Sequence, residues 1–420
     1  MMGGSVLRKI ATTLNEYPKD FRILAGATFI DRVGGTMIQP FYSLYIAQKF
    51  GVSMTTIGLL FGLWSISGVL GNMLGGALTD KLGRKSMIIA GLVLSATTSI
   101  LMGVVNDLWA FALVSTIVGM LSDIAGPAQG AMTTDMLPAE KRTEGFGIIR
   151  VVGNLAWIIG PALGGLLAGE SYLLVFIADA VASVITALIV WWKIPETKPQ
   201  GSMESQRESL VDTFKGYGKV AKDRLFLAFV LISMLLILVY SQMYSTLSVY
   251  LNQQHGIPAR GYGWLMSMNA ALVVIFQFSV SGKTKEKPPM LMMATATVLY
   301  GVGFTLFGFV EQYWMFMVAM GIITFGEMVH IPTSSGLVAN LAPEDKRGRY
   351  NAFAGLSWGI PNIFATFFAG LVMDNLNPKL VWVFAGGICV VTLLGYLLLN
   401  PHIQKRLKPT DEGSADVQSL

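Results

Sequence analysis

Apolar runs of about 20 residues or more, the length of a helix that crosses a bilayer, recur along nearly the whole chain and dictate what it can fold into. Six lie near 22–47, 54–79, 86–105, 108–134, 144–169 and 172–192, and six more near 225–251, 262–281, 289–310, 313–338, 350–373 and 379–399. Short polar loops separate them, and a longer polar stretch, Lys193 to Lys222, divides the sixth from the seventh. Hydrocarbon offers no partner to a backbone N–H or C=O, so runs of this length read as transmembrane helices. Composition agrees. Asp, Glu, Lys and Arg make up 13% of the 420 residues and apolar types 53%, too little charge to cover a water-facing surface. The expectation is an all-α integral membrane protein of twelve spans, divided as 1–192, a linker at 193–222, a second bundle at 223–400 and a tail at 401–420.

Lys and Arg in the short loops set the orientation. One side carries eleven: Lys81, Arg84, Lys85, Lys141, Arg142, Lys283, Lys285, Lys287, Lys346, Arg347 and Arg349. The other carries three, Lys49, Arg260 and Lys379. The richer side is expected to be cytoplasmic, and both termini and the linker fall on it, in the plasma or bacterial inner membrane. The net charge of +5 is then topological and implies no nucleic-acid partner. The first 20 residues hold Arg8, Lys9 and Lys19 without an apolar core and cleavage site, so the first span is expected to serve as its own uncleaved targeting signal.

An internal repeat supports two related halves. Pro127 is followed by Pro138 and Ala139-Glu140-Lys141-Arg142, and 205 residues later Pro332 is followed by Pro343 and Glu344-Asp345-Lys346-Arg347. Several function classes are excluded. The one cysteine, Cys389, allows neither an intramolecular disulfide nor a multi-Cys metal site. The sequence has no HExxH or Walker A pattern, which removes the corresponding metalloprotease and self-contained ATP-driven chemistries. No cofactor or metal is expected, and no signalling module is present in the linker or tail.

Between the second and third spans lies Gly75-Gly76-Ala77-Leu78-Thr79-Asp80-Lys81-Leu82-Gly83-Arg84-Lys85. Its small residues permit close helix approach, and its charges can latch neighbouring helix ends. With the twelve spans and two repeats, this segment resembles motif A of the major facilitator superfamily. The resemblance covers essentially the whole chain and implies that superfamily's fold, two pseudo-symmetric six-helix bundles, with Gly76, Asp80, Gly83 and Arg84 as gating residues that do not touch substrate. In span five, Gly153 and Gly160-Pro161-Ala162-Leu163-Gly164-Gly165 form a bendable packing face. That face resembles motif C, which implies antiport and points toward export.

Ionisable groups inside apolar spans are expensive and need compensation or neutralisation. The candidates here are Asp31 and Arg32 in span one, Asp123 in span four, Asp179 in span six, and Glu327 with His330 in span ten. Each acid is either a proton carrier or a structural ion-pair partner. Glu327 leads the proton carriers because its span matches span four by the repeat, where Asp123 sits at similar depth. Asp31 and Arg32, about 100° apart on a helix, need separate partners: Arg32 an acid such as Asp123 or an anionic substrate, Asp31 a proton or a cationic substrate. Asp179 reads as structural.

Gly326-Glu327-Met328-Val329-His330-Ile331-Pro332 resembles the tenth-helix segment of a lactococcal type of multidrug antiporter, in which the glutamate takes part in proton and cationic-drug handling. Asp135 matches a second coupling acid of that type, or else completes a gate network with Asp80 and Arg84. The seventh-span acid of that type has no counterpart between Gln242 and Tyr250. Gln39, Tyr42, Trp157, Tyr240, Tyr244 and Trp358, with Arg32 and His330, are the candidate linings of a substrate cavity. For each aromatic, lipid or helix packing is the competing reading. The expected function is proton-coupled efflux of lipophilic or cationic drug-like compounds by a monomer, with a specific lipid, sugar or metabolite transporter as the alternative.

Overall fold

The computed structural model describes residues 16–122, 125–198, 218, 220–343 and 346–407, without the side chains of 72–78, 80, 81, 118, 121, 122, 143 and 348. All of its regular elements are helices: α1 (Lys19–Ile38), α2 (Tyr42–Phe50), α3 (Met54–Leu82), α4 (Arg84–Val104), α5 (Leu108–Ser122), α6 (Ala125–Met136), α7 (Arg142–Glu170) and α8 (Tyr172–Lys193) precede the linker. After it come α9 (Arg224–Ser245), α10 (Leu247–His255), α11 (Ala259–Thr284), α12 (Pro289–Leu306), α13 (Tyr313–Leu341), α14 (Arg347–Asn375) and α15 (Leu380–Leu407).

Among the described residues, ten helices are long and apolar enough to cross a membrane: α3, α4, α7, α8, α9 and α11 to α15. The first expected span is divided into α1, a 3-10 turn at Gln39–Phe41 and α2. Pro40 at the start of that turn cannot donate a backbone hydrogen bond, and Lys19, Asp20, Arg22, Asp31 and Arg32 make α1 more polar than its neighbours. The fourth expected span is described as α5 and α6. Its candidate Asp123 lies outside the described residues.

Lipid as solvent explains the surface. Phe278 is 87% and Leu398 73% exposed, positions that would invite aggregation in water but cost nothing against hydrocarbon.

The repeat spacing of 205 residues runs through the helix boundaries. Ala259 begins α11 205 residues after Met54 begins α3, and the same spacing relates the starts of α4 and α12, of α5 and α13, and of α7 and α14. It also relates α2 to α10, both nine residues long. Each ends in a glycine with positive φ, Gly51 at 61° and Gly256 at 64°, a left-handed cap that a glycine adopts without steric cost.

The chain forms two compact units. One joins α1–α8 to Gln242–Val274 and Ile363–Pro378; the other holds the start of α9 to Ser241, Ile275–Asn362 and Lys379 onward. Within the first, α1 packs on α7 and α8, α4 on α8, and α3 on α5. Within the second, α12 packs on α13 and α15.

Candidate functional site

The α3–α4 turn shows how the local sequence dictates geometry. Gly83 has φ 96°, a conformation that requires glycine, and a Cβ there would lie 2.9 Å from Cδ of Glu196. The Glu196 carboxylate accepts the first two N–H groups of α4, Arg84 to Oε1 at 2.9 Å and Lys85 to Oε2 at 3.1 Å. It is thus a distant acidic cap for a helix whose own N-cap residue offers no side-chain bond. Burial pushes this carboxyl up, but the N–H groups of Lys198, Arg84, Thr197 and Lys85 outweigh that effect and hold it below its ordinary value.

Beside this cap, Arg84 Nε lies 3.1 Å from Oδ2 of Asp135. The Thr197 hydroxyl donates to the same oxygen at 3.3 Å, and Lys85 Nζ donates to the Trp191 carbonyl at 2.7 Å. Asp135, Arg84 and Gly83 are therefore brought together, joined by Glu196 and Thr197. The side chains of Gly76 and Asp80 lie outside the described residues. Glu196 was missed by sequence reasoning; its one signal is an acid right after Pro195 at the end of the sixth span.

The motif C glycines of α7 divide by face. A Cβ on Gly160 would lie 2.8 Å from Thr36 Cβ, and one on Gly164 2.8 Å from the Met37 carbonyl carbon, so these two seat α7 against α1. The Thr36 hydroxyl crosses the same interface to the Ala156 carbonyl at 3.1 Å. Gly165 and the Pro161 carbonyl meet Gly263 of α11 within the same compact unit. A Cβ on Gly153 would meet nothing within 4 Å, so close packing gives no reason for a glycine there.

At the Met54 end of α3 the first unit brings together segments from both sequence halves. A Cβ on Gly58 would lie 2.7 Å from the Thr366 carbonyl carbon, and one on Gly370 2.5 Å from that of Met54. Asp374 accepts the Met54 N–H at 3.0 Å, the Thr55 N–H at 2.7 Å and the Thr55 hydroxyl at 2.5 Å. Gln48 donates to Asn252 at 3.0 Å.

The intramembrane groups separate by unit. Asp31 on α1 accepts the Ser183 hydroxyl of α8 at 3.2 Å. One turn along, a Cβ on Gly34 would lie 2.9 Å from Oδ1 of Asp179, whose other oxygen accepts the Ser99 hydroxyl. Asp31 and Asp179 thus occupy successive rungs of one helix interface. Arg32 is exposed and has no ion pair among the described residues. Gln39 is exposed on its 3-10 turn. Tyr42 is 6% exposed, its ring is 5.0 Å from that of Trp64 and 6.1 Å from that of Phe176, and its hydroxyl reaches Met102 Sδ at 3.7 Å. Trp157 and Tyr244 pack edge to face at 5.4 Å.

In the second unit a row of rings joins four helices. Trp358 (α14) lies 5.8 Å from Tyr240 (α9), Tyr240 5.7 Å from Tyr300 (α12), and Tyr300 5.9 Å from His330 (α13). His330 is 2% exposed, and its Nε2 has no hydrogen-bond partner among the described residues. Glu327 is half-buried three residues before it, on the same face of α13. Pro332 has no N–H for the carbonyl four residues earlier. That carbonyl, of Met328, instead accepts Gln277 Nε2 at 3.0 Å, which steadies the helix beside Glu327.

The family model for the Major Facilitator Superfamily matches residues 24–291 and 246–420. The chain belongs to the major facilitator superfamily. It is accordingly a multi-pass membrane transporter of that superfamily, not an enzyme, acting on small molecules in a lipid bilayer. It is similar to the "Na(+), Li(+), K(+)/H(+) antiporter" of Planococcus maritimus, 25% identical over 379 residues covering 84% of this chain and 89% of that protein. It is also similar to the "Multidrug resistance protein MdtH" of Sodalis glossinidius, 25% identical over 384 residues covering 90% and 92%. Among solved structures, a point mutant of the nucleoside transporter NupG superposes with a TM-score of 0.80 at 16% identity, covering 90% of this chain and 99% of that one. That likeness concerns the fold.

Proposed function

We propose that this superfamily transporter exports lipophilic or cationic drug-like compounds in exchange for protons, by alternating access between two six-helix halves of a twelve-span monomer. The observation that carries this reading is Glu327, half-buried on α13 and one turn from a buried His330 that closes the Trp358–Tyr240–Tyr300 row. A carboxyl can hold a proton or face a cation, and aromatic faces suit flat cations. In the cycle, Glu327 releases its proton to the cytoplasm as the cation binds. The halves then rock, and reprotonation from outside expels the cation. A membrane potential of 100 mV contributes about 2.3 kcal/mol per proton that moves inward.

The MdtH similarity supports the drug substrate, as does the likeness of Gly326–Pro332 to the tenth-helix segment of the multidrug transporter LmrP. In this reading Asp31 and Asp123 are further proton-handling acids. Asp135 serves the gate through Arg84, with Gly76, Asp80 and Gly83, on the cytoplasmic side with both termini.

The Planococcus relative favours a second reading, alkali-cation/proton antiport. Everted membrane vesicles with an imposed inside-acid pH gradient distinguish the two. Gradient collapse on adding ethidium or tetraphenylphosphonium supports drug export; collapse by sodium or potassium alone supports cation exchange and removes drug export from the lead.

A further inference from the structure

The second unit contains a cavity of about 630 Å³ where the ends of α11, α12, α13 and α15 meet, within the volume range of small-molecule sites. Ser281, Lys285, Lys287, Thr333, Asn340 and Arg406 line it, and among the described residues the lining includes no Asp or Glu. Arg406 is already committed: its Nη1 donates to both Asp223 oxygens at 2.9 and 2.7 Å, and its Nη2 to the Leu341 carbonyl at 2.7 Å. It fixes one wall while Asp223 offsets its charge. Lys285 lies 3.8 Å from Glu286, with both side chains well exposed, a pairing too weak to neutralise it.

The hydrogen-bond capacity of the wall is largely unspent. Gln277 Nε2 donates to the Ser281 hydroxyl oxygen at 2.9 Å, leaving the Ser281 proton to be donated elsewhere. Thr333 and Asn340 make no side-chain hydrogen bond among the described residues. Two ammonium groups and three neutral donors thus surround one space whose described lining holds no acid. That chemistry suits a compact anion with several acceptor oxygens better than a carboxylate, which has two.

We propose that this cavity binds a phosphate-bearing anion, the headgroup of an anionic lipid or a soluble phosphate ester, with Lys285 and Lys287 supplying charge and Ser281, Thr333 and Asn340 hydrogen bonds. Basic residues beside a leaflet recruit anionic lipids, and a soluble ester offers the same oxygens without acyl chains. The site is independent of what the transporter carries.

The test is thermal unfolding of the purified full-length protein in neutral detergent, followed by tryptophan fluorescence. Dioleoylphosphatidylglycerol, dioleoylphosphatidylcholine and glycerol 3-phosphate are titrated separately at constant ionic strength. The expected result is a saturable rise in Tm with phosphatidylglycerol and none with phosphatidylcholine. A response to glycerol 3-phosphate as well assigns the soluble ester as a ligand; its absence assigns the lipid. Lys285→Gln/Lys287→Gln should raise the half-saturating concentration about tenfold, whereas Lys283→Gln, next to the cavity but outside its lining, should not. Asn340→Asp, which puts a carboxylate inside, should abolish the shift even if the double variant folds poorly. No shift with either anion overturns the proposal. So does an equal loss in Lys283→Gln, which would mean diffuse surface attraction.

Discussion

The first backbone N–H of α4, that of Arg84, donates to Oε1 of Glu196 at 2.9 Å. The helix is therefore capped by an acid from beyond α8, and the turn at Gly83 is shaped by both neighbours. Replacing Glu196 with Ala should cost about 0.5–1 kcal/mol, the worth of a largely exposed cap. Because the folded carboxyl is held below its ordinary value of 4.5, its contribution is complete above that value and lost as the pH falls through the folded one. Thermal unfolding across pH 3–7 should show wild type losing this increment on acidification and Glu196→Gln showing a flatter profile. Gly83→Ala should be worse at every pH, by roughly 1–3 kcal/mol, because it adds backbone strain.

Gly160 and Gly153 make a matched pair on one helix. Gly160→Ala should separate α7 from α1 and reduce transport at least tenfold, with Gly164→Ala behaving likewise. Gly153→Ala should retain activity and gain up to about 1 kcal/mol of helix propensity. Substrate uptake into everted vesicles, normalised to protein in the membrane, makes the comparison.

Asp374 holds the start of α3 through three hydrogen bonds. Asp374→Ala should lower stability by about 1–2 kcal/mol and loosen the Met54 end of the first unit. Thermal unfolding checks the first effect. A several-fold faster maleimide reaction at Thr366→Cys checks the second, against a background of the one native cysteine, Cys389, which is 3% exposed.

Much of this architecture is legible because a membrane allows so few solutions. The apolar runs alone place the starts of the ten long helices within about three residues, although α9 ends before its run and α15 continues past its own, and the repeat of 205 residues read from Pro127 and Pro332 recurs in the helix starts. Span one is less regular because Pro40 interrupts it and α1 carries Asp31 and Arg32. Glu196 and Asp374 were not legible because each caps a helix more than 100 residues away in sequence, and nothing local announces such a partner. The neighbours of Tyr42, which are Trp64, Phe176 and Met102, come from three other helices and were not legible either. Nor does a glycine reveal which face of its helix it occupies, so Gly153 and Gly160 look alike in sequence.

The coupling role of Glu327 is tested most directly in proteoliposomes with a lumenal pH dye and an imposed pH gradient. Ethidium or tetraphenylphosphonium is added to wild type and to Glu327→Gln, with matched reconstitution. The expected result is cation-triggered proton flux in wild type that is absent in Glu327→Gln while cation binding persists. Equal flux in the two proteins, or no cation-dependent flux in wild type, would contradict proton-coupled export through Glu327.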